Sequence, residues 1–314
     1  MAVLDRAIVR LLPAVPRPVV KRLSRRYIAG EELSEACRVV MRLNETEKLA
    51  TLDVLGEEVT TREEALALVE AYRDVFETIR REGLDSNVSV KPTGFGLSID
   101  TDFCRQNLAD LVRCAEERSN FVRIDMEDAS TTSDTLEVYR ELRAEGLSSV
   151  GVVLQARLRR TLDDISALAD LRPNVRVCKG IYLEPADIAY QGMQAIRENF
   201  VNAIDDLLET GAYVAVATHD GWVIDRAKEL LEQHGTKREE YEFQMLLGVG
   251  DELGDQLVRE GHRLRVYVPF GRRWYEYSVR RLQENPAMAT AIAKATARRF
   301  LPGRNGRGRG DAAA

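Results

Sequence analysis

The stretch LATLDVLGEEVTTREEALALVEAYRDVFETIRREGLDSNVSVK, Leu49 to Lys91, decides the fold. It opens on an apolar, β-rich run, passes into a pattern with apolar residues at helical spacing from Thr61 to Gly83, and returns to a short β-rich run at Asn87. A threonine followed by acids starts a helix and a glycine ends one. Strand, helix and strand in that order make a βαβ unit.

The unit recurs. After LATLDVLG and NVSVK come FVRIDME from Phe121, VGVVLQA from Val150, VRVCKG from Val175, YVAVATH from Tyr213, EFQMLLG from Glu242 and LRVYVPFG from Leu264, at intervals of 22 to 38 residues. Eight such units favour a closed parallel (β/α)8 TIM-like barrel. A second long amphipathic pattern, Ala186 to Gly211, predicts a helix between the fifth and sixth runs. An open doubly wound sheet should carry a glycine-rich phosphate loop. Gly94-Phe-Gly96 and Gly248-Val-Gly250 lack the third glycine, so both read as turns.

With 314 residues, 45% hydrophobic and 31% charged, the chain can bury a large core and reads as soluble. MAVLDRAIVRLLPAVPRPVV is interrupted by Asp5, Arg6, Arg10 and Arg17, which excludes a secretory signal, and a cytoplasmic location is expected. Cys37, Cys104, Cys114 and Cys178 show no metal-ligand spacing, so no metal is expected. A net charge of -6 argues against nucleic acid. From Met1 to Tyr27, however, seven Arg/Lys face one Asp, and the tail from Gly303 is Gly- and Arg-rich. The expected organisation is an N-terminal helical extension over 1–47, the barrel over 48–300 and a disordered basic tail over 301–314.

Barrel enzymes gather their chemistry at the carboxyl ends of the strands. The runs here end in Lys91, Asp125-Met-Glu127, Gln155, Lys179-Gly-Ile-Tyr182, Thr218-His219-Asp220, Gln244 and Tyr267. A strand core has no need to finish in polar groups, so the mouth is read as catalytic. An ion pair between Lys91 and Asp125 is the purely structural reading of that pair, and a hydrogen bond along the rim is that of His219. Beyond the last run, Tyr277, Arg280, Arg281 and Glu284 share one arc of a helical pattern. Adjacent guanidiniums suit a carboxylate or phosphate, which they grip in planar, bidentate fashion.

Taken together, YVPFGRRWYEYSVRRLQENP from Tyr267 to Pro286, with VSVK, RIDME, VVLQA, VRVCKGIYLE, ATHD and EFQMLLG in order, resembles the proline dehydrogenase family. The resemblance runs from about Leu49 to Pro286. It implies a distorted (β/α)8 barrel that holds FAD without a Rossmann domain and oxidises L-proline to Δ1-pyrroline-5-carboxylate. It further implies that Arg280, Arg281 and Lys91 hold the substrate carboxylate, supported by Asp125, and that Tyr182, Leu246, Tyr267 and Tyr277 wall the ring. Gln155, Arg176, Lys179, Gly180, Thr218, His219, Gln244 and Glu284 resemble the flavin-contacting set, with Arg176 beside the isoalloxazine. A quinone is the implied electron acceptor, and the basic N-terminal helices would rest on the inner face of a membrane or pack in water. With few residues after Pro286, the monofunctional form is expected. Ile181, Arg157 and Asp220 depart from common family residues, Ile181 where an alanine is usual. Relatives acting on hydroxyproline tend to lack a tyrosine at the Tyr267 position, so its presence favours proline. The alternatives are a barrel lyase or aldolase with Lys91 or Lys179 as Schiff-base amine, or a hydroxyproline-oxidising relative.

Overall fold

Each β-rich run alternates between two kinds of side chain, and the alternation decides how the sheet closes. In the second run Val88 and Val90 are buried against the helical layer, while Ser89 lies on the opposite face. The computed structural model describes residues 26–57, 59–275 and 277–278. In it the runs become β1 Leu49–Val54, β2 Ser86–Val90, β3 Val122–Ile124, β4 Val150–Gln155, β5 Asn174–Cys178, β6 Tyr213–Ala217, β7 Tyr241–Leu246 and β8 Leu264–Phe270. All pairings are parallel and follow chain order, and β8 closes on β1 with Thr51 opposite Tyr267.

The helices are α1 Leu33–Asn44, α2 Arg62–Glu82, α3 Thr101–Glu116, α4 Thr132–Ala144, α5 Thr161–Leu168, α6 Met193–Glu209, α7 Gly221–Gln233 and α8 Asp251–Arg259. The core lies between sheet and helices, where Leu52, Val90, Ile124, Val152, Val177, Val216, Phe243 and Val268 are buried. Full burial of such a side chain is worth roughly 1.5–3 kcal/mol. The expected α2 forms as read, with the Thr61 hydroxyl accepting from the Glu64 amide and Gly83 ending it at φ 60°.

One feature departs from the sequence reading. The helix expected from Ala186 starts only at Met193. Its first residues instead make an antiparallel bridge, Leu158 with Ala189, and the Tyr190 amide donates to the Arg157 carbonyl at 2.8 Å. Pro185 and Gly192 bracket this segment, and its backbone groups find partners outside any helix. Within the expected N-terminal extension, Leu33–Asn44 forms the helix α1. It packs on β1 and β8, covering the seam where the sheet closes, with Ala36, Cys37 and Val40 buried.

The chain divides into two compact units, Arg26–Trp274 and a second made of Met1–Arg25 with Tyr275–Ala314. Residues 1–25, where the basic helices were expected, and 301–314, the expected tail, lie outside the described residues. Among the described residues no helix is long and apolar enough to cross a membrane.

Candidate active site

The lumen of the barrel is polar through much of its depth. In most barrels it is filled by branched aliphatic side chains. Here charged groups from strands that are not neighbours bond to one another, which only residues pointing inward can do.

On the amino side, the Arg265 guanidinium donates to Glu242 at 2.8 Å and to the Ala50 carbonyl at 2.7 Å. Burial alone would raise the Glu242 pKa, but Arg265 and the amide of Gln244 outweigh it and lower it to about 2. Arg123 is buried beside them and makes no ion pair among the described residues, donating to the carbonyls of Val152 at 3.0 Å and Asn174 at 2.6 Å.

Toward the mouth, one hydrogen-bonded chain crosses five strands. The Lys91 ammonium, just past β2, donates to both oxygens of Asp53 on β1 at 2.9 and 3.0 Å and lies 3.3 Å from the Tyr267 hydroxyl. That hydroxyl donates to Asp125 at 2.9 Å. The other oxygen of Asp125 accepts from Arg176 on β5 at 2.6 Å, and Arg176 also donates to the Ser89 hydroxyl at 2.9 Å. The Arg176 guanidinium stands 5.4 Å from the centre of the Tyr267 ring. Its Nε is buried with no hydrogen-bond partner among the described residues.

The direct Lys91–Asp125 pair read from the sequence is therefore replaced by a path through Tyr267. Lys91 pairs with Asp53, an acid that the reading of strand ends passed over because it sits inside an apolar run. Burial opposes the Lys91 charge, yet Asp53, Tyr267 and Asp125 carry its pKa well above the ordinary 10.5. A Schiff-base amine has to be unprotonated, so Lys91 does not suit the lyase alternative. Lys179 is shifted the other way, lowered by burial and by Arg157.

A further set of bonds braces the mouth. A 3-10 turn, Pro92–Phe95, follows Lys91, and Thr93 donates to the Glu127 carboxylate through its amide at 2.9 Å and its hydroxyl at 2.6 Å. Burial raises the Glu127 pKa against those bonds. The Gln155 amide donates to the Glu127 carbonyl at 2.6 Å. Gly180 closes on Gln155 so tightly that a Cβ there would stand 2.5 Å from the Gln155 Oε1, and its φ is +88°. The Arg157 guanidinium holds the Gly180 carbonyl at 3.2 Å. Tyr182 is half-buried, its pKa raised by burial and by Glu127, while Ile181 beside it is 44% exposed.

On the far side, Thr218, His219 and Asp220 make the turn between β6 and α7. The His219 Nε2 accepts from the Leu246 amide at 3.0 Å, which is the expected rim hydrogen bond and leaves the ring proton on Nδ1. Asp220 caps α7 and takes a two-point bond from Arg197 at 2.7 and 3.0 Å. Gln244 is buried on β7 and donates to Glu242 at 2.5 Å. The barrel thus brings together Lys91, Asp125, Gln155, Arg176 and Tyr267, with Lys179, Gly180, Tyr182, Thr218, His219, Gln244 and Leu246 on its rim or lumen.

Of the other expected residues, Tyr277 belongs to the second compact unit. Arg280, Arg281 and Glu284 lie outside the described residues. Besides Asp53, the sequence reading missed Ser89, Thr93 and Tyr72, whose hydroxyl donates to the Ser89 carbonyl at 2.6 Å and accepts from the Val54 amide at 3.0 Å. For Asp53 and Ser89 the available signal was a lone acid or hydroxyl at the inward position of a strand. Among the described residues no group of three or more His, Cys, Asp or Glu is arranged to hold a metal ion.

A family model described as proline dehydrogenase matches residues 36–294. Proline dehydrogenase 1 of Bacillus subtilis subsp. natto is 37% identical over 271 residues, covering 86% of this chain and 89% of that protein. Proline dehydrogenase of Deinococcus radiodurans is 36% identical over 296 residues, covering 90% of this chain and 96% of that one. Among solved structures, proline utilization A (PutA) from Bdellovibrio bacteriovorus, inactivated by N-propargylglycine, superposes with a TM-score of 0.81 at 24% identity. It is matched over 89% of this chain and 36% of its own, and at that identity the likeness is one of fold.

Proposed function

Because the chain belongs to the proline dehydrogenase family, we propose that it oxidises L-proline to Δ1-pyrroline-5-carboxylate, with FAD as its cofactor and a quinone as the final acceptor. When bound, the isoalloxazine supplies the redox chemistry by accepting at N5 the hydride that leaves proline C5.

The residues present fit that group. Arg176 is fixed by Asp125 and Ser89 with its Nε–H left over in a buried place, a donor that a ring acceptor would satisfy. Gln155, Lys179 and Gly180 stand at the ends of β4 and β5, Thr218 and His219 follow β6, and Gln244 lies within β7, positions that suit a flavin cradle. Glu284 is assigned to the same set by resemblance.

The chain's own residues would bind and orient the substrate. Lys91 offers a cation at the mouth, but Lys91, Arg176 and Arg265 each already face a carboxylate. An incoming anion therefore needs further positive charge, which Arg280 and Arg281 are assigned to supply. Tyr182, Leu246, Tyr267 and Tyr277 would enclose the ring and exclude water. A proline bound as the neutral amine needs no side-chain base, and none is assigned here. The basic N-terminal segment is the proposed site of peripheral membrane contact.

The observation that carries this reading is the chain from Asp53 through Lys91, Tyr267 and Asp125 to Arg176, assembled over the carboxyl ends of the strands. The test is an anaerobic visible spectrum of the purified protein before and after L-proline. A flavin spectrum that bleaches on addition is expected. A colourless protein that cannot be loaded with FAD, or a flavin that proline leaves oxidised, overturns it.

A further inference from the structure

Lys91 carries three N–H donors on a flexible four-carbon stem. Two are spent on Asp53, whose side chain is 1% exposed against 14% for Lys91. The acid therefore lies beneath the amine, on the side away from solvent. The third donor meets the Tyr267 hydroxyl at 3.3 Å, the longest of the three contacts and the one a ligand could replace. Tyr72 does not compete for Asp53. Its single proton goes to the Ser89 carbonyl at 2.6 Å, and Asp53 is 3.5 Å away.

We propose that Asp53 is a positioning residue for the oxidation, holding Lys91 by two bonds so that its remaining N–H is aimed at the substrate carboxylate. This rests on the reading that Lys91 receives that carboxylate. Asp53 touches neither substrate nor cofactor in this scheme and acts only through the amine.

The arrangement also settles the protonation of Lys91. The ionisable groups facing it among the described residues are Asp53 on β1, Tyr72 on α2, Asp125 and Glu127 after β3, Tyr182 after β5 and Tyr267 on β8. Burial works against the charge, and of the groups that offset burial the Asp53 carboxylate acts most strongly. Without that carboxylate, burial would be opposed only by Tyr267, Asp125 and Tyr72, so the amine's pKa would fall, and a neutral amine cannot hold an anion. The sign follows: binding that is insensitive to alkali in the native protein is lost in the variant as pH rises.

The experiment uses the full chain loaded with FAD. Proline kcat/KM and, by calorimetry, the Kd of the unreactive probe cyclopentanecarboxylate are followed from neutral to alkaline pH. For Asp53→Asn, KM and the probe Kd should rise about tenfold at neutral pH, and an alkaline limb should appear that the native protein lacks. Lys91→Arg in the same background should remove the limb, because a guanidinium stays protonated. A native profile for Asp53→Asn, or a limb that survives Lys91→Arg, overturns the proposal. Asp53→Glu keeps the charge and serves if the asparagine variant does not fold. It should show no alkaline loss of probe binding but a raised KM, and a native KM there also overturns the proposal. Lys91→Met separates the two readings, since an unchanged proline KM in that variant removes the assignment of Lys91 itself.

Discussion

Gly180 shows how much one position of the rim constrains. Its φ of +88° is a region that L side chains rarely adopt, and an added Cβ would stand 2.5 Å from the Gln155 Oε1 and 3.1 Å from the Gln155 Cβ. A free glutamine would swing away. This one is pinned through its amide to the Glu127 carbonyl, so strain and displacement both apply. Gly180→Ala should lower stability by about 1–3 kcal/mol, read as a fall in Tm of the purified protein, with weaker retention of FAD on gel filtration. A variant with native Tm and native flavin content would contradict the packing described. At this scale the sequence was legible wherever a polar group ended an apolar run, as at Lys91, Gln155 and Gln244. It was illegible at Asp53, Ser89 and Arg265, because an alternating strand is ordinarily read with its polar face in water, whereas here that face lines the lumen. Arg176 was found only through the family resemblance.

Among the elements, α2 was readable because all its signals are local. Thr61 caps it, with its hydroxyl 3.2 Å from the Glu64 amide, while Glu64 returns a bond to the Thr60 amide at 2.9 Å. Removing the cap as Thr61→Ala should cost about 1 kcal/mol, a Tm shift of roughly 2–4 °C, with proline kinetics unchanged because Thr61 is exposed at the start of α2, well before Tyr72. A scanning-calorimetry Tm equal to that of the native protein would show that Glu64 alone satisfies the helix start. The start of α6 was misread for the opposite reason. Residues from Ala186 to Gln191 have a helix-like pattern, but the Ile188 carbonyl accepts from the Arg159 amide and the Tyr190 amide donates to the Arg157 carbonyl, partners no window of local sequence contains. The same holds for α1, whose place over the β8–β1 seam depends on a strand more than 200 residues later in the chain.

Over the whole molecule, the paired charges of the lumen make stability depend on acid. Glu242 is ordinarily a carboxylic acid of pKa 4.5 and is held at about 2 in the fold, where Arg265 prevails over burial. A group whose folded pKa is depressed contributes stability above its unfolded value and loses it as pH falls toward the folded one. Tm should therefore drop as pH goes from 4.5 to about 2. Glu242→Gln should flatten that part of the curve while lowering stability at neutral pH, since it leaves a buried guanidinium without its counter-charge, a loss of about 3–5 kcal/mol. Thermal melts across that range check both halves, and an acid limb of native steepness in the variant would assign the sensitivity to other carboxylates. The closing of β8 on β1 has a consequence for biosynthesis as well. Until the last strand leaves the ribosome, β1 presents an unpaired edge, Arg265 and Tyr267 are missing from the interior, and the acids at 53, 125 and 242 have lost part of their company. The nascent chain thus has no finished barrel until β8 arrives, and the assigned Tyr277, Arg280, Arg281 and Glu284 follow later still, so a half-made copy would be inert.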